Sequence, residues 1–367
     1  MKNIAMLTGV AFMVVTAMVA TLISARNMPV TEPEKANNLV TEQITVVARN
    51  LATPWEMAFL PNGEILVTER GGRLIKISPS EKKVIAEIQE VAAVGEGGLM
   101  GIALHPNFEE NGWIYLDYTY RSDSGLINRV SRYRLVDDQL AEEKVVMDNI
   151  KGGNNHNGGR IEFGPDGLLY IATGDAGESG LAQDENSLNG KILRVGDDGS
   201  IPVNNPFGNA VYSLGHRNVQ GLTWDDRGEL WASEHGPSGS ASGEDEINRI
   251  VAGGNYGWPI ITGEQRREGL ISPALQSGKN MTWAPAGIIF LDGRLYWAGL
   301  RGEAIYSAVI DNGRLTNLTR QYTIYGRLRA IRLYSGDIYV TTSNRDGRGL
   351  PREGDDKIIK IIPTPQK

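Results

Sequence analysis

The chain has no cysteine among its 367 residues. Disulfides, thiolate catalysis, cysteine metal sites and a lipidated cysteine anchor are thereby excluded. Histidine is nearly as scarce, with four in all. No long basic run is present, and the formal net charge is −7, which argues against nucleic acid as a partner. Long helical patterns are not evident. Glycine, by contrast, is abundant at 45 residues, and 41% of the chain is hydrophobic. That is the composition of a turn-rich globular protein, long enough for one large domain or two ordinary ones.

The N-terminus is a separate object. After Lys2 comes an uncharged apolar run over residues 4–24. A basic start followed by such a run is an export signal, and this run is also long enough to span a bilayer. Residues 1–25 are therefore expected to be a signal peptide or an uncleaved N-terminal anchor that tethers the protein to a membrane. Residues 26–43 read as a polar linker, and residues 44–367 as the folded domain. The expected location is periplasmic or otherwise exported.

One pattern recurs six times: a turn ending in glycine, then an apolar, partly aromatic strand. The copies are "NGEILVTE", "NGWIYLDY", "DGLLYIAT", "RGELWASE", "DGRLYWAG" and "SGDIYVTT". Their glycines, from Gly63 to Gly336, are spaced by 49, 55, 61, 65 and 43 residues. Glycine suits a turn where φ is positive, and Ile, Leu, Val, Tyr and Trp suit a pleated surface. Units of this length predict an all-β fold, a six-bladed β-propeller. The first strand, "ITVVARNL", is expected to pair into the blade that holds "DDKIIKIIP" and so close the ring.

The scarce histidines point to chemistry. His156 lies in "GGNNHNGG", a loop that could present one side chain at the mouth of a propeller channel. A neutral imidazole is a general base near pH 7. Asp175 follows the next repeat strand and could orient the ring. Taken alone, His156 is better explained as a surface histidine with no role. "LGHRNVQG" adds His216, Arg217, Asn218 and Gln220. The acidic cluster Glu244, Asp245 and Glu246 in a glycine-rich stretch suits a hard cation such as calcium, although its spacing is not that of an EF-hand. An ordinary solvated turn explains it as well. Arg327 and Arg329, two apart on a strand, face the same way. With Arg217 and Arg301 they could bind a ligand with several carboxylates.

Taken in order, these stretches resemble the soluble PQQ-dependent sugar dehydrogenases of the glucose/sorbosone dehydrogenase family. The motifs are "EGGLMGIALHPNF" (96–108), "HNGGRIEFGPDGLLYIATGD" (156–175), "LGHRNVQGL" (214–222), "EHGPSG…DEINRIVAGGNYGWP" (234–259), "GLRGE" (299–303) and "GRLRAI" (326–331). The resemblance runs from about residue 44 to 363. It implies a six-bladed propeller that oxidises the C1 hydroxyl of an aldose to the lactone with PQQ and Ca2+, then passes electrons to an external acceptor. It implies His156 as the base, Asp175 as the acid that orients it, and Arg217 beside them. Arg217, Asn218, Gln220, Arg301, Arg327 and Arg329 would contact PQQ, with His156 close by. The carbonyls of Gly236 and Pro237 would hold the calcium on PQQ, and Glu246 and Tyr256 a second, structural calcium. The glycines around His156 would clear room for the flat cofactor and the sugar.

Two positions depart from the family pattern. Glu96, also expected at the cofactor, stands where glutamine is usual. A carboxylate beside an anionic cofactor should repel it unless it is protonated or near calcium, and burial should raise its pKa. Arg301 stands where lysine is common, keeping the charge but changing the geometry. Two other classes compete: a calcium-dependent lactonase-type propeller, and a non-catalytic propeller that binds a sugar or a partner protein. The arginine cluster argues against the first, and the ordered His156 and Asp175 against the second.

Overall fold

The computed structural model describes residues 44–237 and 243–363. The expectations for residues 1–25 and 26–43 lie outside the described residues. Six four-stranded antiparallel sheets account for the described strands. Blade 1 holds β2 to β5 (Pro54–Phe59, Ile65–Glu69, Arg73–Ile77, Lys82–Glu87), and blade 2 holds β6 to β9 (Leu99–Leu104, Trp113–Ser122, Gly125–Val136, Gln139–Lys151). Blade 3 holds β10 to β13 (Arg160–Phe163, Leu169–Ala172, Lys191–Val195, Val211–Leu214), and blade 4 holds β14 to β17 (Val219–Trp224, Leu230–Glu234, Glu246–Ile250, Leu275–Gln276). Blade 5 holds β18 to β21 (Pro285–Leu291, Arg294–Gly299, Ala304–Asp311, Arg314–Gln321). Blade 6 takes β22 to β24 (Leu328–Tyr334, Asp337–Thr342, Ile358–Ile361) and, as its outer strand, β1 (Ile44–Ala48).

The first strands of the blades, β2, β6, β10, β14, β18 and β22, contact one another in a closed ring. This is the six-bladed propeller that the repeats predict. Each repeat is the second strand of its blade, and all six turn glycines have φ between 67° and 85°. That left-handed turn is open to glycine without a steric penalty. The closure is also as expected: β1 pairs with β24, Ile44 opposite Ile361 and Val46 opposite Ile359.

Strands alternate their side chains, so an inner strand of a blade meets a neighbouring blade on each face. β3 and β11 are accordingly buried at every position. Six apolar clusters form, one at each blade interface. Between blades 2 and 3, for example, Tyr115 and Val130 pack with Ile161, Leu169 and Leu193. Between blades 4 and 5, Trp231 and Ile247 pack with Trp283 and Trp297. Each fully buried Leu, Ile or Val contributes about 1.5–3 kcal/mol of transfer free energy.

The topology decides where function can sit. The glycine turns between first and second strands lie at one end of the ring. The links between second and third strands, and those between blades, lie at the other. Glu96, His156, Asp175, Arg217, Gly236, Arg301 and Arg327 all fall in links of the second kind.

Candidate active site

At that end opens a cavity of about 390 Å³. Its lining includes Glu96, His156, Arg217, Gly236, Pro237, Arg301 and Arg327, all singled out from sequence. Gln220 and Arg329 line a smaller extension beneath it, with Trp55 and Met100. Asp175 and Asn218 stand behind the lining. Glu246 and Tyr256 do not line either space.

His156 is held in an unusual backbone conformation, with φ at 54°. Few residues other than glycine and asparagine adopt it, so the surrounding loop must impose it. Three contacts do so. The His156 backbone N–H donates to Glu96 Oε2 at 3.0 Å, and the Ala176 N–H donates to the His156 carbonyl at 3.1 Å. Nδ1 lies 2.7 Å from Asp175 Oδ1. With a carboxylate as partner, Nδ1 carries the proton, and Nε2 remains as the acceptor. The neighbouring glycines do not clear room for a ligand, as the sequence suggested. A Cβ on Gly158 would meet Thr173 Cα at 2.5 Å, and one on Gly174 would meet the His156 carbonyl oxygen at 2.0 Å. They let the His156 and Asp175 loops touch backbone to backbone.

Asp175 is buried and accepts from His156, from the Gly177 N–H at 2.8 Å and from Trp258 Nε1 at 2.8 Å. Burial works to raise its pKa, but the His156 bond and charge and these donors outweigh it, and the pKa is lowered. Trp258 also carries the Arg217 guanidinium 5.3 Å over its ring. Trp258 belongs to a motif read as family resemblance, but its link to Asp175 was not foreseen.

The arginines are organised by acids. Asp346 Oδ2 accepts from Arg327 Nε at 3.0 Å and Nη2 at 2.8 Å. Arg329 donates to Gln220 Oε1 at 3.3 Å and stacks over Trp55 at 5.5 Å. Burial pulls the Arg329 pKa down to about 10, so it stays charged at neutral pH. Arg217 is shifted down too, again by burial. Buried cations at one end of a channel invite an anion. Behind Arg217, Glu234 accepts its backbone N–H at 2.5 Å and holds His216 Nδ1 at 2.8 Å, while His216 Nε2 meets Ser213 Oγ at 2.8 Å. His216 is fully buried, so this chain of polar groups supports Arg217 and lacks access to a substrate.

Glu96 behaves differently from its expectation. Burial raises its pKa, but the charge of His235, then the hydrogen bond and charge of Arg348, whose Nη1 lies at 2.6 Å, bring it down to about 2. Glu96 is ionised and paired. Sequence reasoning missed Arg348 because it comes from the β23–β24 link, which carries no repeat signal. His235 was also passed over. It lines the cavity, burial lowers its pKa to about 4, and its Nε2 is buried without a partner.

A hard cation would find oxygen ligands at Gly236 and Pro237. The Gly236 N–H donates to Asp245 Oδ1 at 2.9 Å, and Asp245 Oδ2 accepts from Thr282 Oγ1 and the Trp283 and Ala284 N–H groups at 2.7–2.9 Å. Gly236 is thereby tied to Asp245 at the cavity wall. The second expected metal position is less complete. Burial and then the charge of the neighbouring Glu234 push Glu246 up to about 8. The Tyr256 hydroxyl, however, donates to the Arg249 carbonyl at 2.6 Å and accepts the Val251 N–H at 3.0 Å. Only its carbonyl could serve a metal. Among the described residues, no group of three or more His, Asp and Glu could hold a metal ion.

The polar groups fit a polyanion: arginines at the wall and in the floor, and the lining His235 with its buried Nε2 without a partner. Comparison with known proteins agrees. The PQQ-bound aldose sugar dehydrogenase of Streptomyces coelicolor is 38% identical and superposes with a TM-score of 0.81, covering 88% of this chain and 98% of that one. The aldose sugar dehydrogenase of Escherichia coli is 37% identical over 240 residues, 60% of this chain and 63% of the relative. Quinoprotein glucose dehydrogenase B of Acinetobacter calcoaceticus is 35% identical over 254 residues, 59% of this chain, and the match spans about half of that enzyme (52%). Residues 51–352 match the glucose/sorbosone dehydrogenase family as a whole, and the chain belongs to that family.

Proposed function

We propose that the protein is an exported quinoprotein that oxidises the C1 hydroxyl of an aldose to the lactone with PQQ and calcium, and passes the electrons to an external acceptor. The observation that carries this reading is the His156–Asp175 pair, whose free Nε2 belongs to a residue lining a cavity with arginine walls. PQQ would supply the quinone that accepts hydride, and calcium the Lewis acid that polarises it. Arg217, Arg301, Arg327 and Arg329 would neutralise the carboxylates of PQQ, and Gln220 would add a polar contact. The Gly236 and Pro237 carbonyls would hold the calcium.

His156 Nε2 would take the proton of the substrate's C1 hydroxyl. The imidazolium that forms is stabilised by Asp175, which keeps Nδ1 protonated and the ring in place. Such a base contributes about 10²–10⁴-fold in rate. A lactonase-type reading would need a carboxylate-rich metal centre in the channel, and the cavity offers arginines in its place. Export rests on the apolar run at residues 4–24, and the same run would supply a membrane tether if retained.

The test is calorimetric titration of the apo-protein with PQQ at saturating calcium, followed by dye reduction with a panel of aldoses. Binding with sugar-dependent reduction is expected. Binding without reduction by any aldose would point to another substrate class, and no binding would remove the quinoprotein reading.

A further inference from the structure

Glu96 and Arg348 lie 252 positions apart, yet Arg348 Nη1 donates to Glu96 Oε1 at 2.6 Å. Glu96 Oε2 accepts the His156 backbone N–H. One carboxylate thus joins the link before β6, the loop that carries the base, and the β23–β24 link. The Arg348 end is anchored in turn: its backbone N–H donates to Asp346 Oδ1 at 2.9 Å, and Asp346 pairs with Arg327 through the other oxygen.

The two partners face the ligand space differently. Glu96 has both oxygens on donors, and its side chain is 21% exposed. Arg348 gives Glu96 only Nη1 of a guanidinium with five donors. Its side chain is 61% exposed, and it lines both the cavity and its deeper extension. A carboxylate already matched by a guanidinium adds no net charge to the cavity, so it need not repel an anion.

We infer that Arg348 is a further contact for an anionic group of the cofactor, and that Glu96 is the positioning residue that aims it while holding the His156 loop. This rests on the PQQ reading. It contrasts with simple repulsion, in which removing the Glu96 charge tightens cofactor binding whatever stands at position 348.

The experiment measures PQQ affinity of the full apo-protein by calorimetry at saturating calcium for the wild type, Arg348→Ala, Arg348→Lys, Glu96→Gln and the Glu96→Gln/Arg348→Ala double variant. Arg348→Ala is expected to weaken binding about tenfold or more, as loss of a charge-assisted contact does, and Arg348→Lys to recover part of it. Glu96→Gln is expected to weaken binding less, and to add nothing in the Arg348→Ala background. Unchanged affinity in Arg348→Ala overturns the inference. So does tighter binding in Glu96→Gln, or an equal effect of Glu96→Gln in both backgrounds. A wild type that binds no PQQ removes the underlying reading as well, and is told apart by that control.

Discussion

Asp175 accepts three hydrogen bonds. His156 Nδ1 is the first, and the Gly177 N–H and Trp258 Nε1 are the others. Trp258→Phe keeps a ring under Arg217 but deletes the donor to Asp175 Oδ2. A net hydrogen bond of about 1 kcal/mol is at stake, so kcat should fall roughly fivefold with PQQ affinity nearly unchanged. Steady-state kinetics beside a PQQ titration checks this, and a loss of affinity with kcat intact would contradict it. Arg327 lines the same cavity, and on the proposed reading it meets a carboxylate of PQQ. Arg327→Ala should weaken PQQ binding by about 1.5–3 kcal/mol, roughly 10–150-fold, while Asp346 keeps Arg329 Nη2 at 3.9 Å. Equal affinities in variant and wild type would mean that Arg327 does not meet the cofactor. At this scale the sequence was legible where chemistry clusters in one stretch, as in "HNGGR" with Asp175 behind the next strand. It was not legible where partners meet only through the fold: Trp258 on Asp175, Arg348 on Glu96. The low pKa of Glu96 rests on His235 and on that arginine.

The strand patterns were read correctly because their cause is local. A second strand sandwiched between two blades needs apolar residues on both faces, and a glycine must open its turn. β7 breaks the rule with Asp117, which is fully buried and whose Oδ1 has no hydrogen-bond partner. Burial alone raises its pKa well above the usual carboxylate value. The folded state therefore holds this proton at pH values where the unfolded chain, with an ordinary pKa near 3.9, has released it. Stability is lost as pH rises from about 4 toward the raised folded value. Asp117→Asn removes that loss. Its melting temperature should exceed the wild-type value at pH 7, with the gap closing as pH falls to about 4. A gap that is constant across this range would show that Asp117 is not held neutral by its surroundings.

In the whole molecule, the ring is a closed set of six interfaces sealed by a strand from the other end of the chain. β1 covers the edge of β24, and without it blade 6 ends in an unpaired strand beside the loop that carries Asp346 and Arg348. A truncation removing residues 1–48 should lower the melting temperature by roughly 5 °C or more and promote association through the freed edge. Thermal melting and light scattering check both, and a truncated protein as stable and monodisperse as the intact one would mean that the closure is dispensable. The same architecture gathers distant links at one end, and that gathering brings His156, Asp175 and the arginines into one site. The central claim is that His156 is the base of a PQQ-dependent sugar oxidation. It is tested most directly by the rate of aldose-dependent dye reduction in the wild type and in His156→Ala, each shown spectroscopically to be fully loaded with PQQ and calcium. A drop of about 10²–10⁴-fold in kcat at equal cofactor occupancy is predicted, and a loaded variant turning over at the wild-type rate would contradict it.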